Sequence, residues 1–240
     1  MVKGGRNYLE ALEKVDRDRT YSPQEALELV KEVSFESFDA TVEVHMRMGV
    51  NPRHADQQVR GTVLLPEGLG QEIIVAVFAS GEAASIAEEA GADYVLSTDE
   101  DMQKIQDGWV EFDVAIAIPE MMSKVGRLGR ILGPRGLMPN PKAGTVAPAE
   151  DLPRLIEEAK AGRVEYRVDK TSNIHLPIGK VSFSVDELMN NFVTVVDRIK
   201  RERPPSVNRN TYIRKLTVTS TMGPGIKVNV PEALALEPAL

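Results

Sequence analysis

The hydrophobic period of this chain changes twice along its length, and that change restricts the available folds more than any other feature. From Thr41 to Met48 apolar and polar residues alternate: Val42, Val44, Met46 and Met48 fall on one side, and Thr41, Glu43, His45 and Arg47 on the other. A period of two marks a strand with one buried face and one wet face. A second such segment runs from about Val59 to Leu65, and the run PEGLG at 66–70 then interrupts the pattern. Beyond it, QEIIVAVFA, DYVL and FDVAIAIP are nearly continuous apolar runs, separated by helix-like segments from Gly81 to Gly91 and over TDEDMQKIQDG. Unbroken apolar strands alternating with helices indicate a parallel sheet covered on both faces. A helix over Leu152 to Lys160 and the break at Ala161 and Gly162 close this part. Alternation then returns in VEYRVDK, NIHLPIGKVSF, KLTVTST and IKVNV.

Two helices are announced by their first turns. Ser22 precedes Pro23 with Glu25 three residues on, and Ser184 stands three residues before Glu187, both in the pattern of a capping box. The first and last thirds therefore read alike, as antiparallel strands with packed helices. The expected organisation is a discontinuous α+β domain, residues 1–68 plus 160–240, interrupted by an inserted α/β domain at 69–159 that carries a basic Gly/Pro-rich loop. Paired linkers near 66–70 and 160–162 would permit hinge motion. The tail EALALEPAL is expected to fray.

Composition removes several classes of function. With 42% hydrophobic residues, 18 glycines and 15 prolines, the chain can bury a core. No apolar run approaches the roughly 18 residues that cross a bilayer, and MVKGGRNYLE has no signal-peptide core, so a cytoplasmic protein without a membrane partner is expected. The absence of cysteine excludes disulfides, zinc-thiolate sites, iron-sulfur clusters and thiol nucleophiles. His45, His54 and His175 show no ligand spacing and read as three isolated surface residues; no metal, cofactor or catalytic residue is expected. GRLGRILGPRG is rich enough in glycine to cradle phosphate. It lacks the Gly-Lys-Ser/Thr ending of a nucleotide-binding loop, however, and does not match GxGxxG after a first strand. A nucleotide-dependent enzyme is therefore disfavoured, as is a DNA-binding regulator, since no helix is built for a major groove.

The net charge of -7 argues against a nucleic-acid partner until it is mapped. Twelve acids and one base, Lys104, lie between Gln71 and Glu120. From Met121 to Ala149 there are five bases (Lys124, Arg127, Arg130, Arg135 and Lys142) and no acid. Arg198 to Lys215 carries seven bases against Glu202. That last stretch fits either a contact surface or the solvated end of a helix. Segregated charge allows a polyanion to meet basic surfaces while an acidic module faces elsewhere.

GRILGPRGLMPNPKAGTV, Gly129 to Val146, resembles the signature of the bacterial large-subunit ribosomal protein L-one family. The resemblance extends over SFDATVEVHMRMGVNPRHADQQVRGTV, GADYV, AGRVEYRVDKTSNIHLPIGK and TSTMGP. It implies a split βαβ-like α+β domain holding both termini and an inserted three-layer, Rossmann-like α/β domain. It further implies a structural constituent of the large ribosomal subunit, monomeric when free and otherwise ribosome-bound. Such a protein binds large-subunit ribosomal RNA in the mobile lateral stalk, assists release of exit-site tRNA, and represses its own operon by binding the messenger RNA. Carried over by motif, the implied RNA-binding residues are Phe38, Thr41, Glu43, Asp169, Lys170, Thr171, Ser172, Thr221, Met222 and Gly223. Arg127, Arg130, Arg135 and Lys142 would add phosphate contacts that position RNA without reading its sequence. Two features depart from many relatives: Ser37 replaces a lysine before the aromatic, removing one phosphate contact, and the chain is acidic overall. Both imply weaker nonspecific RNA binding.

Overall fold

The computed structural model describes residues 5–238, apart from the side chain of Lys142. Its strands are β1 (Thr41–Met48), β2 (Arg60–Leu64), β3 (Val75–Phe78), β4 (Tyr94–Leu96), β5 (Val114–Ala117), β6 (Arg163–Arg167), β7 (Asn173–Lys180), β8 (Ile213–Ser220) and β9 (Ile226–Val228). The fold is mixed α and β, and contacts divide it into two compact units, Met1–Gly70 with Val164–Leu240, and Gln71–Arg163.

In the first unit β1 lies between two strands from the last third of the chain, in the order β7, β1, β8, β9. All these pairings are antiparallel; Val44 faces Leu176 on one side and Val218 on the other. The alternation along β1 places Val42, Val44, Met46 and Met48 in the core. The helices Pro23–Val33 and Val185–Arg201 cover that face, presenting Ala26, Leu27 and Val30 from one, and Leu188, Phe192 and Val196 from the other. Both capping boxes form, with Ser22 and Ser184 accepting from the N–H groups of Glu25 and Glu187. Thr41, Glu43, His45 and Arg47 are left on the uncovered face of the sheet.

One buried polar side chain anchors the segment that follows β2. Asn191, fully buried in the Val185–Arg201 helix, accepts from the N–H of Glu67 at 3.1 Å. It donates to the carbonyls of Gly68 at 3.0 Å and Ile178 at 2.8 Å. The amide thus satisfies main-chain groups that have no strand partner.

The second unit has a parallel three-stranded sheet in the order β4, β3, β5. All four residues of β3 are buried, as an unbroken apolar strand covered on both faces requires. The helices Glu82–Glu89, Asp99–Gln106 and Leu152–Lys160 complete its core through Ala87, Ile105 and Ile156.

Two expectations need correction. The basic Gly/Pro-rich run is a loop only in part: Met122–Val125, Gly126–Leu128 and Gly129–Leu132 are consecutive helical turns, and irregular chain begins at Gly133. Met121, Val125, Leu128 and Leu132 are buried at helical spacing, which outweighs the glycines between them. The tail does not fray through the described residues either. Val230–Ala235 is a helix capped by Asn229, with Ala233 buried and Leu234 and Leu236 packed on the core.

Replacing Asn191 with leucine strands three main-chain groups together. Asn191→Leu is expected to cost about 2 kcal/mol, chiefly through the Ile178 carbonyl, whose bond is the buried one of the three, since an unpaired buried polar group costs roughly 1–3 kcal/mol. The measurement is the urea midpoint of unfolding; a loss below about 1 kcal/mol would show that the 67–68 segment finds other partners.

Candidate nucleic-acid interface

The uncovered face of the four-stranded sheet collects most of the expected contact residues, in two clusters at opposite ends of β1. At the Thr41 end the chain leaves β8 through Thr221, Met222 and Gly223. The Thr221 hydroxyl accepts from the Thr41 N–H at 3.0 Å and lies 3.3 Å from the Thr41 carbonyl, to which it donates. The Thr41 hydroxyl accepts from Lys180 Nζ at 2.9 Å. Both threonines therefore act first within the protein, tying the turn to the sheet.

The turn has a second anchor that the sequence did not indicate. Glu36 Oε1 accepts from the Met222 N–H and the Ser220 hydroxyl, each at 3.0 Å, while Oε2 accepts from the Phe35 N–H at 2.9 Å and from the Ser34 hydroxyl. Partial burial pushes the Glu36 carboxyl upward, but these hydrogen bonds outweigh it and hold the group below its usual range. Gly223 owes its identity to packing. A Cβ there would lie 2.3 Å from Ser220 Oγ, in a turn closed by the Gly223 N–H to Ser220 carbonyl bond. With the main chain so restrained, Phe38 and Met222 remain 56% and 58% exposed, two of the few large apolar side chains left in water. Glu36, two residues before Phe38, connects the two segments that bear them.

At the Arg47 end lies the turn of Asp169, Lys170, Thr171 and Ser172. The Asp169 carboxylate accepts from the N–H groups of Thr171 and Asn173 at 2.8 and 2.7 Å, and from the Thr171 hydroxyl and Asn173 amide. Burial opposes ionisation, yet these donors bring its pKa down to about 2. Ser172 adopts a positive φ of 65° and ties the turn to the end of β1, its hydroxyl donating to the Val50 carbonyl at 2.9 Å and its carbonyl accepting from the Met48 N–H. Arg47 donates to the Thr171 carbonyl. Lys170 is exposed.

Between the ends runs a line of titratable groups. Glu43 Oε2 lies 3.5 Å from His45 Nε2, His45 Nδ1 is 2.6 Å from His175 Nδ1, and His175 Nε2 lies 3.7 Å from Asp169. The expectation of three isolated histidines fails for two of them, because β1–β7 register sets His45 directly opposite His175. One ring must donate and the other accept, so the contact cannot survive with both rings protonated. The groups form a line and do not converge. Among the described residues no cluster of three or more His, Asp or Glu side chains is arranged to hold a metal.

In the second unit Arg127, Arg130 and Arg135 are exposed; Arg127 is within electrostatic reach of the Asp99 carboxylate, whereas Arg130 and Arg135 have no hydrogen-bond or ion-pair partner among the described residues. Lys124 differs, pairing with Asp99 at 2.8 Å. The side chain of Lys142 lies outside the described residues.

Burial, followed by repulsion from His175, lowers the His45 pKa below its ordinary value of 6.5 despite the attraction of Glu43. Neutral His45 suits the fold, so stability is retained above pH 6.5 and falls as the pH drops through that value towards the lower folded one. His45→Gln is expected to flatten this part of the profile, measured as the urea midpoint against pH. A wild-type midpoint that rises on acidification below pH 6.5 would contradict it.

Comparison with known proteins places these features in context. A family model described as the Ribosomal protein L1p/L10e family matches residues 30–224. Two curated proteins named "Large ribosomal subunit protein uL1", from two strains of Chloroflexus aurantiacus, are each 57% identical over 229 residues. The alignment covers 95% of this chain and 96% of each relative.

Proposed function

Because the chain belongs to the Ribosomal protein L1p/L10e family, we propose that it is a non-enzymatic constituent of the large ribosomal subunit that binds large-subunit ribosomal RNA through the uncovered face of its four-stranded sheet. The observation that carries the RNA site is the turn of Thr221, Met222 and Gly223, clamped by the Glu36 carboxylate with Met222 and Phe38 held out in water. Exposed apolar side chains lose free energy in water unless something covers them. A folded RNA offers ribose and base faces to cover them and 2′-hydroxyls to bond the turn.

The protein works in the cytoplasm, bound to the ribosome, and is a monomer when free. Residues on the first unit supply specificity: Phe38 and Met222 by apolar contact, the turn at Thr221 and Gly223 by main-chain approach, and Glu43 by accepting from hydroxyl or amino groups. The Asp169, Lys170, Thr171 and Ser172 turn contacts the backbone farther along the same face. Arg127, Arg130, Arg135 and Lys142, on a separately folded inserted domain, add phosphate contacts. Placement in the mobile lateral stalk, help in releasing exit-site tRNA, and repression of its own operon through the messenger RNA complete the proposal. Resemblance to the family supports these three roles.

Met222→Asp replaces the adaptable apolar contact with a charge that phosphate repels. It is expected to weaken binding to the cognate ribosomal RNA fragment roughly tenfold or more at fixed salt, the scale of losing one apolar or stacking contact, with little change for an unrelated RNA. Glu36→Ala should act in the same direction by releasing the turn. Equal binding of the cognate fragment by wild type and both variants would remove the site from this face.

A further inference from the structure

Lys215 of the basic stretch from Arg198 to Lys215 stands opposite Arg47 on the sheet face described above, but four other bases of that stretch gather around a separate cavity. Lys200 and Arg201 end the Val185–Arg201 helix, Arg203 lies in the loop beyond it, and Arg209 opens the next helical turn. Together they line a cavity of about 310 Å³ above Tyr212 and Leu234, and no acid is among its lining residues.

The partners of these cations leave most of the charge uncompensated. Lys200 Nζ donates to the Leu234 carbonyl at 3.1 Å, and Arg203 donates to the carbonyls of Pro204 and Val207. Neutral acceptors orient a cation without cancelling it. Arg201 has one carboxylate, Asp197, at 2.8 Å, and Arg209 has no hydrogen-bond or ion-pair partner among the described residues. Glu202 is taken by Arg198 at 2.8 Å. A solvated helix end would account for Lys200 and Arg201, which suit the negative end of the dipole. It does not account for Arg203 past that end, nor for Arg209 at the first position of a helical turn, where a cation gains nothing from the backbone. Tyr212, only 3% exposed in the cavity wall, has a buried hydroxyl with no hydrogen-bond partner among the described residues.

We propose that the cavity of Lys200, Arg201, Arg203 and Arg209 binds backbone phosphates of RNA, as a second contact distinct from the Met222 turn. Several cations around one concavity match an oxyanion that takes multiple donors, and arginine forks suit phosphate in particular. The cavity adjoins the Ile213 end of β8, whereas the Met222 turn follows Ser220 at the other end. Seven residue steps of extended chain separate them, about 23 Å. The phosphates held here therefore come from another segment of the RNA than the one at the turn. The inference rests on the reading of the chain as an RNA-binding protein.

The test uses the full chain with Arg201→Glu and Arg209→Glu combined, with Arg209→Gln as a milder variant. Both side chains are exposed, so melting temperatures should stay close to wild type. Binding to large-subunit ribosomal RNA and to an unrelated RNA of equal length is titrated across a salt series. Expected for the double variant are a loss of about tenfold or more near 0.1 M salt on both RNAs, and a salt slope shallower by about one to two. Arg209→Gln should fall between. Unchanged affinity and slope in the double variant would overturn the proposal. So would competition by polyglutamate for wild type but not for the variant, if the RNA slopes are the same. Failure of the broader reading looks different: wild type would then show no preference for ribosomal RNA, while the slope change in the double variant still reports on the cavity.

Discussion

Pairing of β1 on both edges, with β7 on one side and β8 on the other, is the constraint from which the rest of the first unit follows. It requires residues 41–48 to meet residues 173–180 and 213–220, so the chain must leave the sheet, fold the Gln71–Arg163 unit and return. Because a strand's side chains alternate, the same pairing sorts Val42, Val44, Met46 and Met48 into the core and leaves Thr41, Glu43, His45 and Arg47 on the uncovered face. A slip of one residue would exchange the two sets, which is why apolar burial holds the register so firmly. The polar face thus exists as a by-product of core formation, with its residues at fixed spacing.

Carboxylates shape this face more than they display charge on it. Glu36 and Asp169 each accept several main-chain and hydroxyl donors, and each is held ionised by them. Their lone pairs are occupied in building two turns, one at each end of β1. What the turns present outward is mainly main chain, together with the apolar side chains Phe38 and Met222. Such a surface suits a partner with both sugar faces and hydrogen-bonding groups, and it reconciles the proposed RNA binding with a chain whose formal charge is -7. Two groups of bases supply positive surface away from these turns, the helical turns around Arg127 and Arg130 and the cavity near Arg209.

Much of the architecture was legible because its determinants are local. Alternation along β1, the apolar runs of β3 and β5, and the capping residues Ser22 and Ser184 are each decided within a few positions. The helix Arg6–Glu13 was missed because its polar residues give only a narrow apolar stripe. The turns from Met122 to Leu132 were misread because glycine content masked the stripe of Val125, Leu128 and Leu132. For the candidate site, Phe38 and the residues of the two turns came from the family resemblance. Glu36 and the His45–His175 contact had no comparable signal. Their partners lie 186 and 130 residues away in sequence, and only strand register and turn packing bring them together. Long-range polar contacts of this kind leave no periodicity to read.

The reading of the chain as a large-subunit protein with a clamped RNA-binding turn is tested most directly by sedimentation with purified large ribosomal subunits that lack their own copy, in gradients of increasing salt. Wild-type protein is expected to travel with the subunits at low salt and to be released progressively as screening weakens the phosphate contacts. Protein that remains at the top of the gradient even at the lowest salt, under conditions where it is folded, would contradict that reading.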